Sequence, residues 1–179
     1  MPGLKGGEPC LAMSAGPKGS AKAAMDELSL PARTTVLSGD DMPLPASLRS
    51  LCGLAVTEAE RTMPALLDGL RAALTRHGLL ARAPVFRVTG CANGCARPYS
   101  AELALVGQAA GKYAVFAGGG AQGDRLAFEV RQKVAEADLP GVFERLVAAW
   151  AEGGLEGEAF GDFAARLGPG ALAAALEVA

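Results

Sequence analysis

The sequence predicts a mixed α/β or α+β domain, and three observations predict it. Short β-prone runs alternate with helix-spaced apolar stretches through the middle of the chain, Gly and Pro separate them, and half of the 179 residues are hydrophobic although only 5% are aromatic. That length and apolar content suffice for one core of ordinary size. Residues 1–45 stand apart. Pro2, Pro9, Pro17, Pro31, Pro43 and Pro45 punctuate them without sustained periodicity, so they read as a low-order leader with at most a short helix near 20–28. Pro64 suits the first turn of a helix, where a missing N–H costs nothing. Leu66, Leu67, Leu70, Ala73 and Leu74 then recur at helical spacing and Gly78 can stop the helix, which predicts a helix over 64–77. The β-prone run 85–88 delivers the chain into Gly90-Cys91-Ala92-Asn93-Gly94-Cys95. Runs 102–106 and 112–116 flank a Gly-bounded turn and predict a hairpin. Leu126, Phe128 and Val130 alternate as in a half-buried strand. Asp138 and Pro140 open a second helix with Val142, Phe143, Leu146, Val147 and Trp150 on one face, ending near Gly153-Gly154. Phe160, Phe163 and Leu167 mark a last amphipathic segment, and the Ala-rich tail 169–179 reads as helical or frayed. No internal repeat is visible.

Composition removes several functions. With 17 Lys+Arg against 19 Asp+Glu the chain has no basic field, so nucleic acid is not the expected partner. No run approaches the roughly 18 apolar residues of a membrane helix, and Gly and Pro break the N-terminus before a signal core could form. A cytoplasmic, reducing location is expected. There the four cysteines read as free thiols or as metal and cluster ligands before disulfides.

Cys91 and Cys95 form the sharpest local motif. Two thiolates four positions apart on a Gly-containing turn can converge on one metal or cluster, and Asn93 and Gly94 permit unusual backbone angles between them. Zinc sites and thioredoxin-like redox pairs favour two intervening residues, and a second pair is lacking. Spacing alone leaves both a cluster site and two incidental cysteines open. Gly118-Gly119-Gly120-Ala121-Gln122-Gly123 formally matches G-x-G-x-x-G, but a strand-like pattern follows it where a dinucleotide site needs a helix. It reads instead as a tight turn beside a buried group. His77, at a helix end, reads as a capping or surface residue, and Glu58 and Glu60 with Arg61 as a solvated face or local ion pair. A single His leaves no Ser/His/Asp constellation to assemble.

Three separated segments resemble one family in order. Thr89-Gly90-Cys91-Ala92-Asn93-Gly94-Cys95-Ala96-Arg97-Pro98-Tyr99, followed by Ala101-Glu102 and Leu105-Val106-Gly107, resembles the sirohaem-binding signature of assimilatory sulfite reductase haemoproteins. Cys52-Gly53-Leu54-Ala55-Val56-Thr57-Glu58-Ala59-Glu60-Arg61 is similar to the segment carrying that family's first pair of cluster cysteines, and the run from Gly157 to Phe163 to its terminal GE-x-FGDF. The resemblance covers about 46–168 and implies a mixed sheet with flanking helices, the family's C-terminal sirohaem and iron–sulfur domain. It implies a 4Fe-4S cluster held by Cys52, Cys91 and Cys95, with Cys95 shared with the sirohaem iron and Asn93 near the sirohaem. It further implies six-electron reduction of sulfite to sulfide in sulfur assimilation, fed by a flavoprotein subunit or ferredoxin. The Ala-Arg-Pro-Tyr continuation favours the sulfite branch over the nitrite branch.

The sequence also departs from the family. Its first cluster cysteine would stand six residues before Cys52, where this chain has Ala46; Cys10, in the leader, is the one remaining thiol. Ala92 replaces a proline. The basic residues that grip sulfite and the sirohaem carboxylates belong to an upstream half with no counterpart here, so a separate upstream half is an expected partner. Two readings follow: a cofactor-bearing part of the reductase, or a degenerate, non-catalytic module that keeps the fold and binds a partner.

Overall fold

The computed structural model describes residues 52–177. The leader, its short helix, Cys10 and Ala46 lie outside the described residues. Within them, helix α1 (Met63–Arg76) is followed by strand β1 (Phe86–Thr89), the hairpin β2 (Leu103–Ala109) and β3 (Lys112–Ala117), and β4 (Phe128–Ala135). Helices α2 (Leu139–Gly153) and α3 (Phe160–Ala175) complete the order. The sheet runs β1-β2-β3-β4, with β1 parallel to β2 and the other neighbours antiparallel. It is the mixed α+β arrangement the sequence predicts.

Local chemistry explains the elements. Pro64 falls in the first turn of α1, Met63, Leu66, Leu67, Leu70, Ala73 and Leu74 form its buried stripe, and Gly78 takes φ +69° just beyond the His77 cap. Strands alternate between two faces. Phe86 and Val88, Leu103 and Leu105, and Tyr113, Val115 and Ala117 point into one core with the helices. Phe143 of α2 meets Phe86 edge to face at 5.7 Å, and Trp150 meets Phe160 at 5.6 Å, joining sheet, α2 and α3. The opposite face carries Ala104 and Phe116, packed with Val85 and Ala101.

One strand differs from expectation, and the tail takes one of the two states expected of it. The strand expected around 126–130 begins at Phe128 and runs to Ala135, while Leu126 lies before it and is 73% exposed. Register shifts between β3 and β4 explain the misreading. Tyr113 pairs with Val134 but Val115 with Arg131, so β4 carries an extra residue, and a bulge of this kind breaks period two. The tail beyond Gly168 is helical and belongs to the core through Leu172 and Leu176. Gly168 itself has φ 81° and ψ 165°, and Pro169 follows, so α3 is two helical pieces joined at a break.

Candidate functional site: the cysteine loop

The cysteine loop leaves the C-terminal end of β1 and crosses to the start of β2 over the sheet face opposite the helices. A close approach of three backbones anchors its first residue. Val56 N–H and Thr57 N–H both donate to the Gly90 carbonyl, at 2.9 and 3.2 Å. A Cβ at Gly90 would stand 2.8 Å from the Thr57 carbonyl oxygen, and one at Gly107 would stand 2.2 Å from the Gly90 oxygen. Neither position accepts a side chain without displacing backbone. The segment beginning at Cys52 is thereby held against the residue preceding Cys91. The Thr57 hydroxyl accepts from Gly111 N–H at 3.1 Å, tying the same segment to the hairpin turn.

The rest of the loop is pinned from below. Gly94 has φ +67° and its N–H reaches back to the Cys91 carbonyl at 3.4 Å. The Tyr99 ring lies directly under it, 2.7 Å from where a Cβ would be. Tyr99 donates its hydroxyl to the Ala92 carbonyl at 2.7 Å, and its ring meets Phe116 of β3 edge to face at 5.2 Å. Burial pushes the Tyr99 hydroxyl above its ordinary pKa, and the charge at Cys91 and then Glu129 adds to the shift. Arg87 of β1 donates to the Arg97 carbonyl at 2.9 Å and to the Ser100 hydroxyl at 2.8 Å. Those bonds hold Arg97 in a left-handed conformation, φ 53°, that a long side chain seldom adopts. Burial, and then the nearby Arg97 charge, lowers the Arg87 pKa.

Cys52 and Cys91 are half-buried, and Cys95 is exposed. Asn93 is exposed beside them. Among the described residues no group of three His, Cys, Asp or Glu side chains gathers closely enough to hold one metal ion. A cubane cluster makes a different demand, because each thiolate binds its own iron and the ligands stand apart. Thiols are the donor type such a group takes, and the segment that follows Cys52 hydrogen-bonds at Gly90 to the residue before Cys91.

The remaining sequence candidates have other tasks. His77 pairs with Glu144 of α2 at 2.9 Å, and Arg76 Nε reaches the same carboxylate at 3.0 Å, so His77 fastens α1 to α2. Glu58 pairs locally with Arg61 at 3.7 Å. The glycine run is a tight turn beside a buried group, and that group is Glu102, only 1% exposed. Glu102 accepts from Val85 N–H at 2.8 Å and from Gly161 N–H at 3.1 Å, while its own carbonyl accepts from Gly118 N–H at 3.1 Å. A Cβ at Gly119 would stand 2.1 Å from the Ala101 oxygen, and one at Gly161 2.1 Å from the Gly119 oxygen. Arg125 completes the knot by donating to the Gly118 carbonyl and to Asp162, each at 2.7 Å. The Gly157–Phe163 run is therefore a support for the loop's return to β2. Motif reading placed Glu102 in the signature without assigning it a role; the signal was a carboxylate within the apolar run 101–106.

Comparison with known proteins agrees with this architecture. No family model matches the chain. It is 45% identical over 117 residues to the sulfite reductase (NADPH) hemoprotein beta-component of Bordetella petrii, covering 65% of this chain and 20% of that protein. The protein of the same description from Methylorubrum extorquens is 38% identical over 154 residues, covering 86% of this chain and 25% of the relative. That from Myxococcus xanthus is 44% identical over 117 residues, 65% of this chain and 21% of the relative. Among solved structures, the Mycobacterium tuberculosis NirA protein shares the fold with a TM-score of 0.57 at 23% identity, over 68% of this chain and 24% of that one. The chain thus spans about a fifth to a quarter of the length of the curated relatives it matches. With these identities, and with the cysteine-loop motif set in a matching fold, the chain belongs to the sulfite reductase hemoprotein family.

Proposed function

We propose that this chain is the C-terminal part of a sulfite reductase haemoprotein and supplies Cys52, Cys91 and Cys95 as thiolate ligands of a 4Fe-4S cluster. In this reading Cys95 is shared with a sirohaem iron and Asn93 lies beside the sirohaem. The observation that carries the proposal is the pair of hydrogen bonds from Val56 and Thr57 to the Gly90 carbonyl, which bring the Cys52 segment against the Cys91–Cys95 loop. When bound, the coupled cofactors supply the one-electron steps of the six-electron reduction of sulfite to sulfide. The chain's own residues position them. Gly90 and Gly107 admit the close backbone approach, Tyr99 fixes the Ala92 carbonyl, and Arg87 fixes the loop's return. Sulfite and the sirohaem carboxylates would be gripped by basic residues of a separate upstream half. Electrons would come from a flavoprotein subunit or ferredoxin, in the cytoplasm. A second reading, a cofactor-free module of the same fold, is favoured by Ala46 standing where the family's first cluster cysteine is expected.

Anaerobic reconstitution of the chain with ferrous iron, sulfide and sirohaem separates the two. The ligand assignment expects cluster and haem absorption with matching iron and sulfide content. Cys91→Ser should then lose the cluster, and Cys95→Ser should lose the spectroscopic coupling between haem and cluster. Failure to form either band in the wild-type chain would support the cofactor-free module.

A further inference from the structure

A groove between β4, the hairpin turn and the start of α2 is lined by four cations, Lys112, Arg131, Lys133 and Arg145, against one carboxylate, Asp138; its volume is about 600 Å³. This concentration is unexpected in a chain of net charge −2. Five ion pairs among the described residues engage Arg61, Arg76, His77, Arg125 and Arg166, and none engages a groove cation. Arg131 gives one donor to the Leu176 carbonyl at 3.0 Å, which neutralises nothing.

Two placements there are unfavourable in isolation. The Arg145 guanidinium lies over the first turn of α2, where a Cβ on Gly141 would stand 3.9 Å from both terminal nitrogens. A cation at that end opposes the helix dipole, and no side chain caps the helix. Arg145 Nε is also buried without a hydrogen-bond partner. Lys133 adopts φ +51°, which costs a side-chain-bearing residue about 1 kcal/mol. Gln108 Oε1 holds it there by accepting from its N–H at 2.8 Å.

An anion in the groove offsets the clustered positive charge that these residues carry. It would neutralise the clustered cations and accept from the terminal nitrogens of Arg145 over the first turn of α2. We infer that the groove binds a small polyanion, a ligand carrying two or more phosphate groups. Its volume exceeds that of one oxyanion and lies within the range of about 300–1,000 Å³ usual for small-molecule sites. The lining has no aromatic ring on which a nucleobase could stack. The class is thus of the pyrophosphate or sugar bisphosphate kind.

Calorimetric titration of the full, cofactor-free chain with sodium pyrophosphate at fixed ionic strength tests the inference independently of the cysteine loop. Saturable binding is expected, tighter than that of inorganic phosphate, and weakened at least tenfold by Arg145→Gln and by Lys133→Asn. Asn tolerates the left-handed backbone, so K133N should keep or raise the melting temperature while binding falls. Arg166→Gln, on a cation outside the groove, should bind as wild type does. Absence of pyrophosphate binding, equal weakening by all three substitutions, or affinity for a poly-glutamate peptide without affinity for pyrophosphate would overturn it.

Discussion

Glu102 shows how much one side chain can organise. Its carboxylate closes two buried backbone donors from segments 76 positions apart in sequence, Val85 and Gly161. Glu102→Ala would leave both unpaired, and a buried unsatisfied donor costs about 1–3 kcal/mol, so a loss of about 3 kcal/mol is expected in chemical denaturation. Glu102→Gln keeps an acceptor and should lose less. Glu158, in the same terminal motif, acts differently. Its carboxylate accepts from Arg166 Nε and NH2 and from Leu155 N–H at 2.8–2.9 Å, and it is lowered from an ordinary 4.5 to about 2, chiefly by the Arg166 bond and then by the Leu155 N–H. A carboxylate with a depressed folded-state pKa contributes stability that is fully present above about 4.5 and is lost as pH falls toward 2. Melting temperatures should therefore fall less steeply across that window in Glu158→Gln than in wild type. Identical slopes would refute the assignment.

At the level of elements, α3 separates two uses of glycine. Gly168 sits in a backbone region closed to other residues, at φ 81° and ψ 165°, whereas Gly170 has open space around it and no left-handed φ. Gly168→Ala should destabilise by about 1–3 kcal/mol, and Gly170→Ala should stabilise by about 0.5–1 kcal/mol, both measurable by urea titration. The helices were legible because their apolar residues repeat at helical spacing and Pro64 and Pro140 mark their first turns. β4 was misplaced because bulges opposite Tyr113 and Val115 break its alternation, and a bulge is set by the neighbouring strand, not by the residues within it. The same bulged stretch places Lys133 on the rim of the cationic groove, so the groove was invisible to pattern reading for the same reason.

For the whole molecule, the sheet sorts its contents by face: the helices and the larger core on one, the cysteine loop on the other. That arrangement leaves the loop accessible. Cys95, exposed, should alkylate with iodoacetamide ahead of half-buried Cys52 and Cys91, as read by peptide mass spectrometry, and reconstitution should protect all three. Equal rates before reconstitution would contradict the placement. The sequence by itself determined the fold class and the order of helices and strands, and it set Cys91, Asn93 and Cys95 on one loop, because helical spacing, Gly and Pro positions and a contiguous motif are local properties of the chain. Only the tertiary structure decided that Val56 and Thr57, in the segment beginning at Cys52, are held against the loop at Gly90, that Glu102 binds the terminal motif to the glycine turn, and that four cations from two strands and a helix share one groove. Each of those depends on backbone groups far apart in sequence meeting within hydrogen-bond or contact distance, a relation that no local pattern encodes.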